Sequence, residues 1–172
     1  MKAEILSLAR GAVEHHLRTG GFLSPPLGLP AELGVPGAAF VTLRIGEALR
    51  GCIGTVAATK PTLAEEIIAN AVAAAVKDPR FPPMTTPELP SLSYEVDLLG
   101  SLDPVVEEHE LDPAQYGVVV ESGGRHGVLL PAIPEVVSTH QQITIARTKA
   151  GIRSDEPVTL YRFTVRRFRE EA

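Results

Sequence analysis

Ala38-Ala39-Phe40-Val41-Thr42-Leu43-Arg44-Ile45, then Gly46-Glu47, then Ala48-Leu49-Arg50-Gly51-Cys52-Ile53-Gly54-Thr55-Val56-Ala57 is the stretch that decides how this chain is read. Two runs rich in aliphatic and β-branched residues joined by a two-residue connection describe an antiparallel hairpin with strands over 38–45 and 48–57. On the N-terminal side, Ile5, Leu8, Ala9, Ala12 and Val13 recur at three and four, which predicts a helix from Ala3 to Thr19 ended by Gly20-Gly21. Between helix and hairpin, Phe22 to Pro36 is rich in Pro, Gly and Leu and reads as a loop with at most one helical turn around Ala31-Glu32-Leu33.

On the C-terminal side, Pro61 and the capping box Thr62-Leu63-Ala64-Glu65 open an Ala-rich helix that runs to Lys77 and stops at Asp78-Pro79. The proline-laden segment Arg80 to Pro90 reads as an ordered passage without regular structure. A strand follows over 92–99. Tyr116 to Glu121 and His126 to Leu130 flank Ser122-Gly123-Gly124-Arg125, a second hairpin. Ser138-Thr139-His140-Gln141 opens a helix that Gly151 closes, and Val158 to Phe168 alternates as one last strand. Strands joined by short turns, with about three helices falling between strand groups, give an α+β fold with mainly antiparallel sheet.

At 172 residues with 44% hydrophobic and 22% charged residues, the chain suits a single domain with its own core. The net charge of -5 argues against nucleic acid and anionic lipid as partners. One cysteine excludes an internal disulfide and a multi-cysteine metal site, and the histidines His15, His16, His109, His126 and His140 show no ligand spacing, so no metal site is expected. No apolar span suits a membrane and no signal core opens the sequence, which makes the cytoplasm the expected location.

As a strand, Arg50-Gly51-Cys52-Ile53-Gly54 places Arg50, Cys52 and Gly54 on one face and Leu49, Gly51 and Ile53 on the other. Arg50 then stands about 6.5–7 Å along the strand from Cys52, near enough to favour its thiolate. The flanking glycines leave room for a ligand to approach the backbone. The same residues also describe a small packed thiol beside glycines that relieve contact with a helix, and cysteines outside disulfides are more often core than catalytic. His126 or His140 serves as base to Cys52 only if the fold brings one to it. Asp78 and Arg80 form a carboxylate–guanidinium pair at a helix end, either part of a site or a structural corner. Arg162, Arg166, Arg167 and Arg169 are the one basic concentration, placed on the outer face of the last strand.

The run Leu49-Arg50-Gly51-Cys52-Ile53-Gly54-Thr55, with Asp78-Pro79-Arg80-Phe81-Pro82-Pro83-Met84 and Glu88-Leu89-Pro90 downstream, resembles the AMMECR domain family. Tyr116-Gly117-Val118, Gly127-Val128-Leu129-Leu130-Pro131, Lys149-Ala150-Gly151 and Tyr161 with its basic strand are similar to its prokaryotic branch, AmmeMemoRadiSam system protein A. The resemblance spans nearly the whole chain. It implies a single domain over 1–172, built as two unequal lobes sharing a cavity near the signature. It also implies a Memo-like protein and a radical S-adenosylmethionine enzyme as partners, and it supplies neither a reaction nor a cofactor. Two positions depart from the family pattern: Val76 replaces a common aromatic, and Asp97 adds a carboxylate on the face of Glu95.

The leading expectation is a small enzyme or enzyme subunit with a cysteine-dependent, transferase-type activity. Cys52 and Arg50 are its catalytic pair, and Gly51, Ile53, Gly54, Asp78, Arg80 and Glu95 line its ligand. The rival is a non-catalytic module in which Arg50, Arg80 and the glycine amides hold an anionic small ligand, a nucleotide or a partner segment. A pure scaffold is the third reading.

Overall fold

A computed structural model describes residues 1–170. The chain divides into two compact units, a larger one of residues 1–99 with residues 166–170, and a smaller one of residues 100–165.

In the larger unit the sheet order is β2-β1-β3-β8, from β1 (Ala38–Ile45), β2 (Ala48–Gly54), β3 (Leu92–Leu99) and β8 (Val165–Arg169). β1 pairs antiparallel with both β2 and β3. Helices α1 (Lys2–Thr19) and α2 (Leu63–Val76) supply the core with Ile5, Leu8, Val13, Ile67 and Val72, which meet Val41, Leu43, Tyr94 and Val96 of the sheet. Each aliphatic side chain so buried is worth roughly 1.5–3 kcal/mol of transfer free energy. Gly20 ends α1 in the left-handed conformation, and Thr62 accepts the Glu65 N–H to open α2, both at the positions the sequence indicates.

Gly51 sits where α2 crosses β2. A Cβ there would run into the carbonyl oxygen of Ala74, so the Ala-rich helix and the strand meet backbone to backbone. The smaller unit repeats the device, since a Cβ on Gly127 of β6 would meet the carbonyl of Ala146 in its own helix. That unit has the order β4-β7-β5-β6, from β4 (Asp103–Val105), β5 (Gly117–Ser122), β6 (Arg125–Leu129) and β7 (Thr159–Phe163), with α3 (Thr139–Ala150) beside β5 and β6. The β5–β6 turn places Gly123 and Gly124 at φ 55° and 80°, values that suit glycine in a two-residue hairpin.

Four expectations are corrected. The last strand is two: β7 ends at Phe163 and β8 starts at Val165, each in a different sheet. Its alternation runs unbroken through Thr164, so periodicity cannot locate the division. The basic concentration therefore dissolves. Arg162 binds the Glu110 carbonyl in the smaller unit, while Arg166 pairs with Glu32 and Arg167 with Asp97 in the larger. β2 ends at Gly54 rather than Ala57, because Thr55, Thr59 and Lys60 turn onto the buried carboxylate of Glu66. Residues Thr86–Ser91 form a 3-10 helix inside the supposedly irregular linker, capped reciprocally by Thr85 and Glu88.

Gly51→Ala is expected to lower the unfolding free energy by about 2–3 kcal/mol in urea denaturation, because neither backbone can withdraw without the other. Gly34→Ala, where added bulk meets nothing, serves as the control and should change it by less than about 0.5 kcal/mol. Equal midpoints for the two variants would refute the close approach.

Candidate functional site

One face of the larger sheet carries the helices; the other carries polar side chains in register. Cys52 lies opposite Thr42, and Thr42 opposite Glu95, which makes a row across three strands. The Cys52 N–H does not turn toward β1. It points outward from this edge strand and donates to Asp78 Oδ2 at 2.9 Å. A pair that spends its N–H elsewhere is of the non-hydrogen-bonded kind, in which cross-strand side chains approach most closely. Thr42 Oγ1 accordingly donates to Cys52 Sγ at 3.2 Å.

Asp78 is 4% exposed and is tied to Arg80 through Nε at 3.0 Å and Nη2 at 2.8 Å. The Arg80 hydrogen bonds, helped by the Cys52 and Arg80 amides, hold its carboxyl down at about 2 against the cost of burial. On the next strands, Arg167 grips Asp97 through Nε at 2.7 Å and Nη2 at 3.0 Å, and its Nε stands 3.4 Å from Glu95. Burial pushes the Glu95 carboxyl above its ordinary value; Arg167 opposes that rise and Asp97 adds to it. Arg80 is held firmly protonated, first by Asp78 and in smaller part by the charge of Cys52. Arg167 is held likewise, first by Asp97 and last by Cys52. Two guanidiniums thus act on the thiol.

Arg50 departs from its expected place in the strand. Between Leu43 and Arg44 of β1 the register jumps from Gly51 to Leu49, so Arg50 is the extra residue of a β-bulge. The bulge breaks the strict alternation that placed Arg50 beside Cys52. Its guanidinium goes to Glu88, with Nε to Oε1 at 2.7 Å and Nη2 to Oε2 at 3.3 Å, and lies 5.9 Å from the centre of the Phe81 ring. Three neighbours of Cys52 have packing contacts. Ile53 packs toward the hydrophobic core, Gly51 is filled by Ala74, and a Cβ on Gly54 would strike the ring of Phe40. These glycines serve packing. Asp78 accepts from the Cys52 amide and binds Arg80, and Glu95 stands two strands from Cys52 in the row through Thr42.

Sequence reasoning missed Thr42, Glu88 and Arg167. A regular two-residue hairpin would set Val41 across from Cys52, and only the bulge at Arg50 brings Thr42 there; Arg167 arrives from 115 residues away in sequence, on a strand whose pairing no local pattern reveals. His126 and His140 belong to the smaller unit, on β6 and α3. Among the described residues no cluster of His, Cys, Asp and Glu could hold a metal ion, and no helix is long and apolar enough to cross a membrane.

Comparison with known proteins gives a consistent result. A family model described as AMMECR1 matches residues 6–168. A protein of Thermotoga maritima is 48% identical over 160 residues, which are 91% of this chain and 92% of that protein. A protein of Clostridium acetobutylicum is 37% identical over 171 residues, which are 98% of this chain but 36% of that relative, so it carries a long additional segment. The crystal structure of an uncharacterized protein from Pyrococcus horikoshii matches with a TM-score of 0.91 at 33% identity, over 97% of this chain and 90% of that one.

The depressed carboxyl of Asp78 sets an acid limit on the corner it holds. Its folded pKa lies below the unfolded one, so the stability it contributes is complete above about pH 4 and is lost as the pH falls toward about 2. Thermal unfolding of Asp78→Asn from pH 5 to pH 2 should show a shallower loss of Tm than the parent protein. Parallel curves would mean that Asp78 titrates alike in both states.

Proposed function

The chain belongs to the AMMECR1 family, and on that premise we propose that it is a small enzyme or enzyme subunit in which Cys52 is the nucleophile of a group transfer. The observation that carries this reading is the convergence on one thiol of the Thr42 hydroxyl and the charges of Arg80 and Arg167. A hydrogen-bond donor and nearby cations favour thiolate over thiol, and the thiolate is the reactive form. Arg50 has a different part, bracing the site through Glu88.

In the step this arrangement suits, the thiolate forms a C–S bond to an electrophilic carbon of the donor substrate. The leaving group departs with its electron pair and takes a proton from Glu95, whose raised pKa lets it carry one. An acceptor with a nucleophilic N–H or O–H then attacks the same carbon, the C–S electrons return to sulfur, and the acceptor's proton goes to Glu95. Thiolate and acid are both restored.

Partners and location follow the same reading. A Memo-like protein and a radical S-adenosylmethionine enzyme supply or consume the transferred group, in the cytoplasm, where a working thiol stays reduced. The rival reading, a module that only binds an anion, draws on Arg80, which is about half exposed beside the thiol.

The rate of Cys52 alkylation by iodoacetamide as a function of pH decides between them. An activated nucleophile gives a midpoint well below about 8.5, and Thr42→Val moves that midpoint upward. A thiol that reacts only after unfolding, or with a midpoint at or above the ordinary value, leaves the binding module as the function.

A further inference from the structure

Arg50 and Arg80 approach the same aromatic ring, at 5.9 Å and 5.5 Å from the centre of Phe81. Each is held by one edge. Glu88 takes Nε and Nη2 of Arg50, and Asp78 takes Nε and Nη2 of Arg80. Both carboxylates are themselves fixed, Glu88 by the amide and hydroxyl of Thr85 and Asp78 by the Cys52 amide. The two guanidinium planes are therefore oriented before any ligand arrives, and the Nη1 corner of each lies outside its ion pair.

The Nη1 of Arg50 is the informative atom. It is buried and has no hydrogen-bond partner among the described residues, although the rest of its guanidinium is satisfied. A buried cationic donor without an acceptor is costly, and one held in place by a capped turn and a β-bulge is pre-organised to be completed by something else. Arg80 supplies the accessible counterpart, with 53% of its side chain exposed. Planar guanidiniums with their orientation fixed match the paired oxygens of a carboxylate or a phosphate.

We propose that Arg50 and Arg80, set around Phe81, form an oxyanion-binding pair that takes the carboxylate or phosphate group of the molecule presented to Cys52. Asp78 couples the two functions, because the carboxylate that orients Arg80 also holds the Cys52 backbone. Since Asp78 and Glu88 already balance both cations, the pair selects by geometry more than by net charge. The assignment of this anion to a substrate rests on Cys52 being the nucleophile; the binding itself rests on the arginines alone.

The test compares alkylation of Cys52 by iodoacetate and by iodoacetamide at one pH, in the folded chain and in urea. The ratio of the two rates cancels the fraction of thiolate and reports whether a carboxylate is drawn to the site. The folded ratio should exceed the unfolded one by about tenfold, the order given by one charge-assisted hydrogen bond, and should fall to the unfolded value in Arg80→Gln. In parallel, inorganic phosphate should raise the Tm of the Cys52→Ser protein and fail to raise that of Cys52→Ser with Arg80→Gln. A carboxylate preference alone, or phosphate stabilisation alone, supports the pair and assigns its ligand. If neither appears, the oxyanion pair is overturned, whatever the iodoacetamide profile says of the nucleophile. If Cys52 reacts with neither reagent while phosphate still stabilises through Arg80, the pair stands and the nucleophile falls.

Discussion

The carboxylate of Asp78 is the point at which fold and site become one. It sits just beyond the end of α2, where Pro79 forbids further helix, and it reaches the amide of Cys52 on an edge strand. Without that acceptor the outward N–H of β2 would be an open edge, ready to pair with another chain. With it, α2 and β2 are joined by a charge-assisted hydrogen bond beside the contact between Gly51 and Ala74. Arg80 completes the knot from two residues away, so a short local sequence holds together elements that the loop of residues 55–62 would otherwise leave to packing.

The larger sheet is asymmetric for the same reason. Its helix-covered face is built from Val41, Leu43, Tyr94 and Val96, where alternation and burial agree. Its other face gathers Thr42, Cys52, Glu95, Asp97 and Arg167, a group of polar side chains that would be unstable partly buried unless each found a partner. They do so mutually: Asp97, 1% exposed, is neutralised by Arg167, and Glu95 is left with the weaker share of that guanidinium. The raised pKa of Glu95 is first a consequence of its burial, which Arg167 opposes and the nearby charge of Asp97 reinforces.

Much of the fold was legible because it rests on local rules. β1 and β3 match their sequence boundaries, Gly20 and Gly151 end their helices in left-handed conformations, and Thr62 and Ser138 cap as their side chains suggest. The misses share a cause as well. Glu66 lies in the first turn of α2 and is the buried acceptor of Thr55, Thr59 and Lys60, a use set by where a loop returns. The break at Thr164 and the 3-10 turn at Thr86–Ser91 involve no change in hydrophobic period, which is the signal that a reading of periodicity depends on.

By itself the sequence determined which segment to suspect, the α+β class, the hairpin of β1 and β2, and the family to which the chain belongs. Tertiary structure alone decided which cation serves which group. A strand period of two placed Arg50 beside the thiol, and one extra residue in the β2 ladder sent it to Glu88, while Arg80 and Arg167, a residue far along the chain, act on Cys52. Local sequence encodes dihedral preference and periodicity; it does not encode a bulge whose cost is met by a distant carboxylate, nor a strand that returns to its sheet only after a whole second unit has been built.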